Sequence, residues 1–374
     1  MLNNLTSTHF MLPTLLSFLI SMVCGFIATP QILNFCKEHN LYDLPNRRKM
    51  HHTKVPRLGG IAFFPSMLLA TIISIFTFSS VWITHTITIH IGTILFLIGL
   101  TVIYILGLVD DLVELNASLK FCVQIIAACI LAICYLRFND FYGLMGIHSI
   151  PRGIGIVLTV FFIVYTINAF NLIDGIDGLS ASLAFIALGG FLYFFYAQGM
   201  YSYMSLIAGM MGVLIPYLYF NIFGKAENNR KIFMGDSGSM TLGFLLGTLT
   251  VKFSMNDPAL RILSDNDLLL ALSFVLVPLL DITRVIGVRL VHREHIFHPD
   301  KNHIHHKLLR TGISQHAALG IIVGLQLLYV ALNAVLVNAI SGIILLGINI
   351  AIYIAFNEVV DMYIHKNGKK CYVI

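Results

Sequence analysis

At 374 residues, with 57% hydrophobic and only 11% charged residues and a mean hydropathy of +0.86, the chain carries more apolar surface than one water-soluble core can enclose. That excludes an ordinary soluble enzyme and points to a bilayer, where each spanning helix needs roughly 20 mostly apolar residues. The net charge of +5 comes from basic residues in short loops between apolar runs, which suits membrane lipids and phosphorylated substrates as partners and gives nucleic-acid binding no support.

Apolar runs separated by polar or Gly/Pro-containing breaks predict helices near 10–35, 59–80, 91–109, 119–136, 154–170, 179–197, 203–222, 238–255, 268–290, 316–337 and 340–358, about eleven transmembrane helices in all. No basic residue precedes Lys37, so the first run is expected to be a span and not a cleaved leader. With the N-terminus outside and the C-terminus cytoplasmic, all 23 Lys and Arg face the cytoplasm except Arg137, Arg152, Lys252, Arg261 and the within-span Arg284. This is the bias that the positive-inside rule demands. The expected fold is therefore an all-α, polytopic integral membrane protein, a single domain over 1–374, because no repeat, low-complexity tract or long linker interrupts it. Cys24, Cys36, Cys122, Cys129, Cys134 and Cys371 form no C-x-x-C pair and read as packing residues.

The same topology collects the unusual polar groups on one face. Arg48, His51, His52, Lys54, Arg57 and Lys120 make a basic rim, although any one of them suits a topology or headgroup role equally well. Asp110 and Asp111 end the apolar run Leu95–Val109, where two adjacent carboxylates repel unless a divalent cation holds both ionised; two solvated acids at a helix end are the plain alternative. In Asn168-Ala-Phe-Asn171-Leu-Ile-Asp174-Gly-Ile-Asp177-Gly, polar residues recur every third position, and Gly175 and Gly178 then let the backbone bend and a ligand approach. An ordinary Asp-Gly turn is the competing reading. Asp236, in Phe233-Met-Gly-Asp236-Ser-Gly-Ser239, opens the next inward span among small residues. There it can cap the helix, and its hard oxygens also suit Mg²⁺ or Mn²⁺ while the free N–H groups suit phosphate. Asp281 beside Arg284 reads first as a structural ion pair. The last cytoplasmic loop holds His292, His295, His298, His303, His305 and His306, in a spacing that matches no standard zinc motif and fits donors to a diphosphate or sugar better. An ion-coupled transporter is the rival from another class, but it predicts mid-membrane acids and repeat-related halves.

Taken together these segments resemble the polyprenyl-phosphate N-acetylhexosamine-1-phosphate transferases. The resemblance runs from about Leu41 to Gly312 and is carried by Pro56-Arg57-Leu58-Gly59-Gly60, Gly107-Leu108-Val109-Asp110-Asp111 with Lys120 and Gln124, the Asn168 to Gly178 and Phe233 to Ser239 segments, and Pro299-Asp300-Lys-Asn-His303-Ile-His305-His306. It implies Mg²⁺- or Mn²⁺-dependent attack of a lipid phosphate on the β-phosphorus of a UDP-sugar with loss of UMP, by direct displacement or through a carboxylate–phosphoryl intermediate. Asp236 would hold metal, and Asp110 or Asp111 would hold metal or deprotonate the lipid phosphate. Asp174 and Asp177 would hold metal, nucleotide or sugar. Arg57, Lys120, Asn168, Asn171, His303, His305 and His306 would bind substrate. The His-Ile-His-His form resembles the GlcNAc-1-phosphate branch; the pentapeptide branch is expected to carry three consecutive histidines. The implied partners are undecaprenyl phosphate and UDP-N-acetylglucosamine, with UDP-GalNAc or another UDP-N-acetylhexosamine as the alternative donor, at the cytoplasmic face of a bacterial inner membrane, and the reading admits a homo-oligomer.

Overall fold

The computed structural model describes residues 2–42, 54–78, 91–198, 200–256, 267–293 and 302–366. It is helical throughout, with one isolated antiparallel bridge, Asp140 to Ser149, as the β structure among the described residues. The helices are α1 Leu2–Glu38, α2 Phe63–Thr77 entered through a 3-10 turn at Gly59–Ala62, α3 Ile91–Val113, α4 Ala117–Cys134, α5 Arg152–Ile173, α6 Leu179–Ala197 and α7 Tyr201–Ile222. They continue as α8 Gly235–Ser254, α9 Asp267–Ser273, α10 Leu276–Val291, α11 Ile304–Thr311, α12 Gln315–Leu336 and α13 Gly342–Lys366.

Among the described residues nine of these, α1 to α7 with α12 and α13, are long and apolar enough to cross a membrane. Their outer faces expose Ile94, Ile98 and Ile105 on α3, Val157 and Phe161 on α5, and Ile350 and Ile354 on α13, an apolar belt that lipid covers without cost. The chain is a multi-pass membrane protein. Of the cysteines read as packing residues, Cys36 is buried and Cys24 and Cys129 are half-buried, whereas Cys122 and Cys134 are exposed on α4; Cys371 lies outside the described residues.

Two expected spans differ from that pattern for identifiable reasons. Helix α8, expected over 238–255, is rich in Gly, Ser and Thr because it is the central post of the bundle: every residue from Ser237 to Ser254 is buried, so none of its surface has to match lipid. Small residues bring its neighbours close. A Cβ at Gly243 would lie 2.6 Å from the Ile167 Cα of α5, and one at Gly107 of α3 would lie 2.5 Å from the Ser237 Cα. The expected single span over 268–290 is instead broken between α9 and α10. The polar groups freed by the break are met from α12, where Gln326 Nε2 donates to the carbonyls of Ser273 (2.7 Å) and Phe274 (3.0 Å) and its Oε1 accepts from the Val277 amide (3.2 Å).

Several helices also outrun their apolar stretches. Helix α3 continues to Val113, so Asp110 and Asp111 lie within it, and α13 continues past 358 to Lys366 because Asp361 is neutralised by Lys307 at 2.7 Å.

Candidate active site

The polar ends of α3, α4, α5, α7 and α8 meet around a cavity of about 930 Å³. Its entrance is built by backbone pairing. The amides of Gly59 and Gly60 donate to the carbonyls of Phe233 (2.9 Å) and Met234 (2.8 Å), and the Phe233 amide donates to the Pro56 carbonyl (2.7 Å). This holds the Arg57 segment against the start of α8. Gly235 turns the chain there with φ +73°, and a side chain at that position would overlap the Arg57 carbonyl.

Among the described residues five aspartates line the cavity, together with the cations Arg57, Lys120, Lys225 and Lys231. Asp111 is the most committed of the five. Its two carboxylate oxygens accept from the amides of Asp236 (2.7 Å) and Ser237 (3.0 Å), capping the N-terminus of α8 from a neighbouring helix. Arg57 locks the same corner by donating through Nε (3.1 Å) and Nη2 (2.8 Å) to the Asp111 carbonyl. Asp110 accepts from the Leu115 amide at 2.7 Å and from Lys120 Nζ at 2.8 Å. Lys120 bridges onward to Asp236 Oδ2 at 3.2 Å, and Asn171 holds Asp236 Oδ1 at 2.8 Å while also donating to Ser239 at 2.9 Å. Asp177 is paired with Lys231 at 2.6 Å. Its turn is buttressed by Asn221, which accepts from the Gly178 amide (2.5 Å) and donates to the Ile232 carbonyl (2.7 Å).

Asp174 stands apart, because among the described residues no donor reaches its carboxylate. Burial, followed by the carboxylates of Asp236, Asp177 and Asp111, pushes its pKa up to about 8. It therefore holds a proton at neutral pH unless another cation replaces it. A divalent ion fits this need, since hard oxygens and uncompensated negative charge are what Mg²⁺ prefers. Among the described residues no three His, Cys, Asp or Glu side chains form a complete cage, so a cation here draws on one or two carboxylates, water and phosphate oxygens.

The structure thus brings Arg57, Asp110, Asp111, Lys120, Asn171, Asp174, Asp177, Asp236 and His306 to one wall. It leaves three expected substrate contacts off that wall. Asn168 is turned toward Gln124 (2.8 Å) and the Val164 carbonyl (2.8 Å). His303 is buried with its Nδ1 2.7 Å from Asp281. His305 packs its ring on Gly175, neither of its nitrogens has a hydrogen-bond partner among the described residues, and burial holds it well below the usual imidazole pKa, hence neutral. Asp281 pairs with Arg284 at 3.4 Å as expected, but its closer partner is His303. Arg48, His51, His52, His295, His298, Pro299 and Asp300 lie outside the described residues. Wall residues that the motifs did not single out include Tyr217, Asn221, Lys225, Glu227 and Lys231. Their available signal was position alone: Tyr217 and Asn221 lie in the last turns of α7, and Lys225, Glu227 and Lys231 lie between α7 and Phe233.

The family profile described as Glycosyl transferase family 4 matches residues 93–254, which span Asp110 to Asp236. A Salmonella typhi undecaprenyl-phosphate alpha-N-acetylglucosaminyl 1-phosphate transferase is 31% identical over 315 residues, covering 82% of this chain and 78% of the relative. A Bacillus subtilis (strain 168) protein described as a probable undecaprenyl-phosphate N-acetylglucosaminyl 1-phosphate transferase is 29% identical over 314 residues, 83% of this chain and 82% of its own. The Yersinia pestis undecaprenyl-phosphate alpha-N-acetylglucosaminyl 1-phosphate transferase is 29% identical over 307 residues, 82% and 78%.

Proposed function

Because this chain belongs to the polyprenyl-phosphate N-acetylhexosamine-1-phosphate transferase family, and so is a membrane transferase of sugar phosphate, we propose that it moves GlcNAc-1-phosphate from UDP-GlcNAc to undecaprenyl phosphate. An oxygen of the lipid phosphate attacks the β-phosphorus, the bond to the α-phosphate oxygen breaks, and UMP leaves. The observation that carries this reading is the convergence of five aspartates and four cations on one cavity at the helix ends. Phosphoryl transfer to an existing phosphate needs charge compensation and alignment more than a strong covalent nucleophile.

In this reading Asp236 and Asp174 hold Mg²⁺ or Mn²⁺, which when bound offsets the charge that grows on the transferring and leaving oxygens. Lys120, already shared between Asp110 and Asp236, binds diphosphate oxygen on the same edge. Asp110 takes the proton of a monoprotonated lipid phosphate. Lys231 holds Asp177 toward the nucleotide or sugar, and His306 donates to the donor substrate. Asp111 and Arg57 shape the site through α8 and are not spent on substrate. The cavity opens on the cytoplasmic face of the inner membrane, with the N-terminus outside; the bias of Lys and Arg supports this orientation.

Incubation of the purified protein with undecaprenyl phosphate, Mg²⁺ and a panel of UDP-sugars, with mass spectrometry of the lipid product, tests the donor. Lipid-linked GlcNAc should form fastest at equal donor concentration. Faster formation of lipid-linked GalNAc or MurNAc-pentapeptide would refute the GlcNAc assignment.

A further inference from the structure

Behind the cavity wall lies a second polar cluster that the chemistry above does not use. Asp281 of α10 is 1% exposed, yet among the described residues four groups donate to it: His303 Nδ1 at 2.7 Å, the Ile304 amide at 2.9 Å, the Tyr353 hydroxyl at 3.1 Å and Arg284 at 3.4 Å. Arg284 also donates to the Asn302 carbonyl. Two of these donors begin α11, and Tyr353 belongs to α13. One turn further along α11, the buried Lys307 donates to Asp361 at 2.7 Å and to Asn357 at 3.1 Å. Tyr353, Asn357 and Asp361 recur every fourth residue, which puts them on one face of α13.

Helix α11 has only eight residues, too few to hold its own shape or place, and it is gripped at its first turn by Asp281 and at its middle by Asp361. Between the grips sit His305, pressed on Gly175 of the Asp174 to Asp177 turn, and His306, on the cavity wall. Neither Asp281, Tyr353, Lys307 nor Asp361 reaches the cavity. Apolar side chains could pack the same helices without desolvating charge, so a buried ionic cluster here adds directional register more than cohesion.

We propose that Asp281 and the Tyr353, Asn357 and Asp361 face of the last helix form a latch that positions α11, fixing His306 toward the donor substrate. These are positioning residues, and the proposal rests on His306 being a donor-substrate contact, as inferred above.

Asp281→Asn would leave Arg284 buried without its counter-charge and can fail to fold, so Tyr353→Phe is the working variant. It removes one hydroxyl, opens no cavity and leaves Asp281 three donors. In the full-length purified protein, Tyr353→Phe should raise KM for UDP-GlcNAc by about tenfold, as misplacing a substrate contact does, with KM for undecaprenyl phosphate and the Mg²⁺ midpoint unchanged. In a His306→Ala background the same substitution should add less than about twofold, because the latch then has nothing to place. Equal losses in both backgrounds, or a fall in kcat with KM unchanged, would overturn the latch.

A readout independent of turnover is carbethoxylation of His306 by diethyl pyrocarbonate, followed on the peptide by mass spectrometry with the exposed His316 as internal reference. Its relative rate should rise about threefold or more in Tyr353→Phe, as α11 opens locally more often. An unchanged ratio would overturn the proposal. If wild type makes no lipid product with any UDP-sugar while the ratio still rises, the donor reading fails and the latch stands.

Discussion

Asp111→Asn separates a helix cap from a metal ligand. The carboxylate is 7% exposed, and both oxygens accept from amides, at 2.7 Å and 3.0 Å, at the end of α8 where the aligned peptide dipoles leave positive potential. Asparagine keeps the shape but presents one acceptor, and its NH₂ group points a donor at the second amide. A hydrogen bond to a charged group contributes about 1.5–3 kcal/mol, and stranding a buried amide costs about 1–3 kcal/mol, so the variant should lose roughly 3–5 kcal/mol. The side chain is closely hemmed in: the Gly107 backbone of its own helix lies against Ser237, and the Asp111 carboxylate lies so close to the Gly235 backbone that a Cβ there would come within 2.6 Å of Oδ2. In differential scanning fluorimetry of the detergent-solubilised protein, the unfolding midpoint should fall by roughly 4–6 °C, and Mg²⁺ should not restore it. Lost turnover with an unfolding midpoint equal to that of wild type and a raised Mg²⁺ midpoint would refute the cap and make Asp111 a ligand.

Asp236→Asn should behave in the opposite way: turnover falls by at least about 2 kcal/mol in transition-state stabilisation, roughly thirtyfold, and the Mg²⁺ midpoint rises while thermal stability is kept. Near-normal turnover with an unchanged Mg²⁺ midpoint would move the metal to another carboxylate. For Asp174, whose folded pKa of about 8 exceeds the ordinary carboxylate value, the folded chain keeps a proton that the unfolded chain releases. Its contribution to stability is therefore full below about pH 4 and lost as pH rises toward 8. A cation competes with that proton, so the Mg²⁺-induced rise in unfolding midpoint should be larger at about pH 8.5 than at about pH 6.5, and this pH dependence should shrink in Asp174→Asn. Equal rises at both pH values would place the cation away from Asp174. For orientation, Glu227→Cys on a cysteine-free background should resist a membrane-impermeant thiol reagent in intact cells and react once the membrane is permeabilised; labelling of intact cells would reverse the topology.

Much of the site's membership was legible because polar residues at the ends of apolar runs are costly unless they meet water or a partner. Asp110 lies near the end of α3, Asp174 just past the end of α5 and Asp236 at the start of α8, and they share a wall because those helix ends lie on one face. What each oxygen does was not legible. Asp110 and Asp111 are adjacent in sequence, yet successive helical residues point about 100° apart, so one faces Lys120 and the other caps α8. His303 and His305 carry the same motif as His306, but a neighbour distant in sequence, Asp281 for one and Gly175 for the other, takes each away from the cavity. The break at Phe274 was hidden for a similar reason: the residues on both sides are apolar, and the group that makes the break tolerable, Gln326, lies about fifty positions downstream. Helix α8 was legible as a span but not as the central post, because smallness and mild polarity do not say how many neighbours surround a helix.

The most direct test of the central claim follows the phosphorus atoms. With UDP-GlcNAc labelled in turn at the α- and β-phosphate, and undecaprenyl phosphate as acceptor, the β-label should enter the lipid phase and the α-label should leave as UMP, one for one with lipid-linked GlcNAc. If the β-label stayed in water as UDP while sugar reached the lipid, or if neither label moved, sugar-1-phosphate transfer would be the wrong reaction for this site.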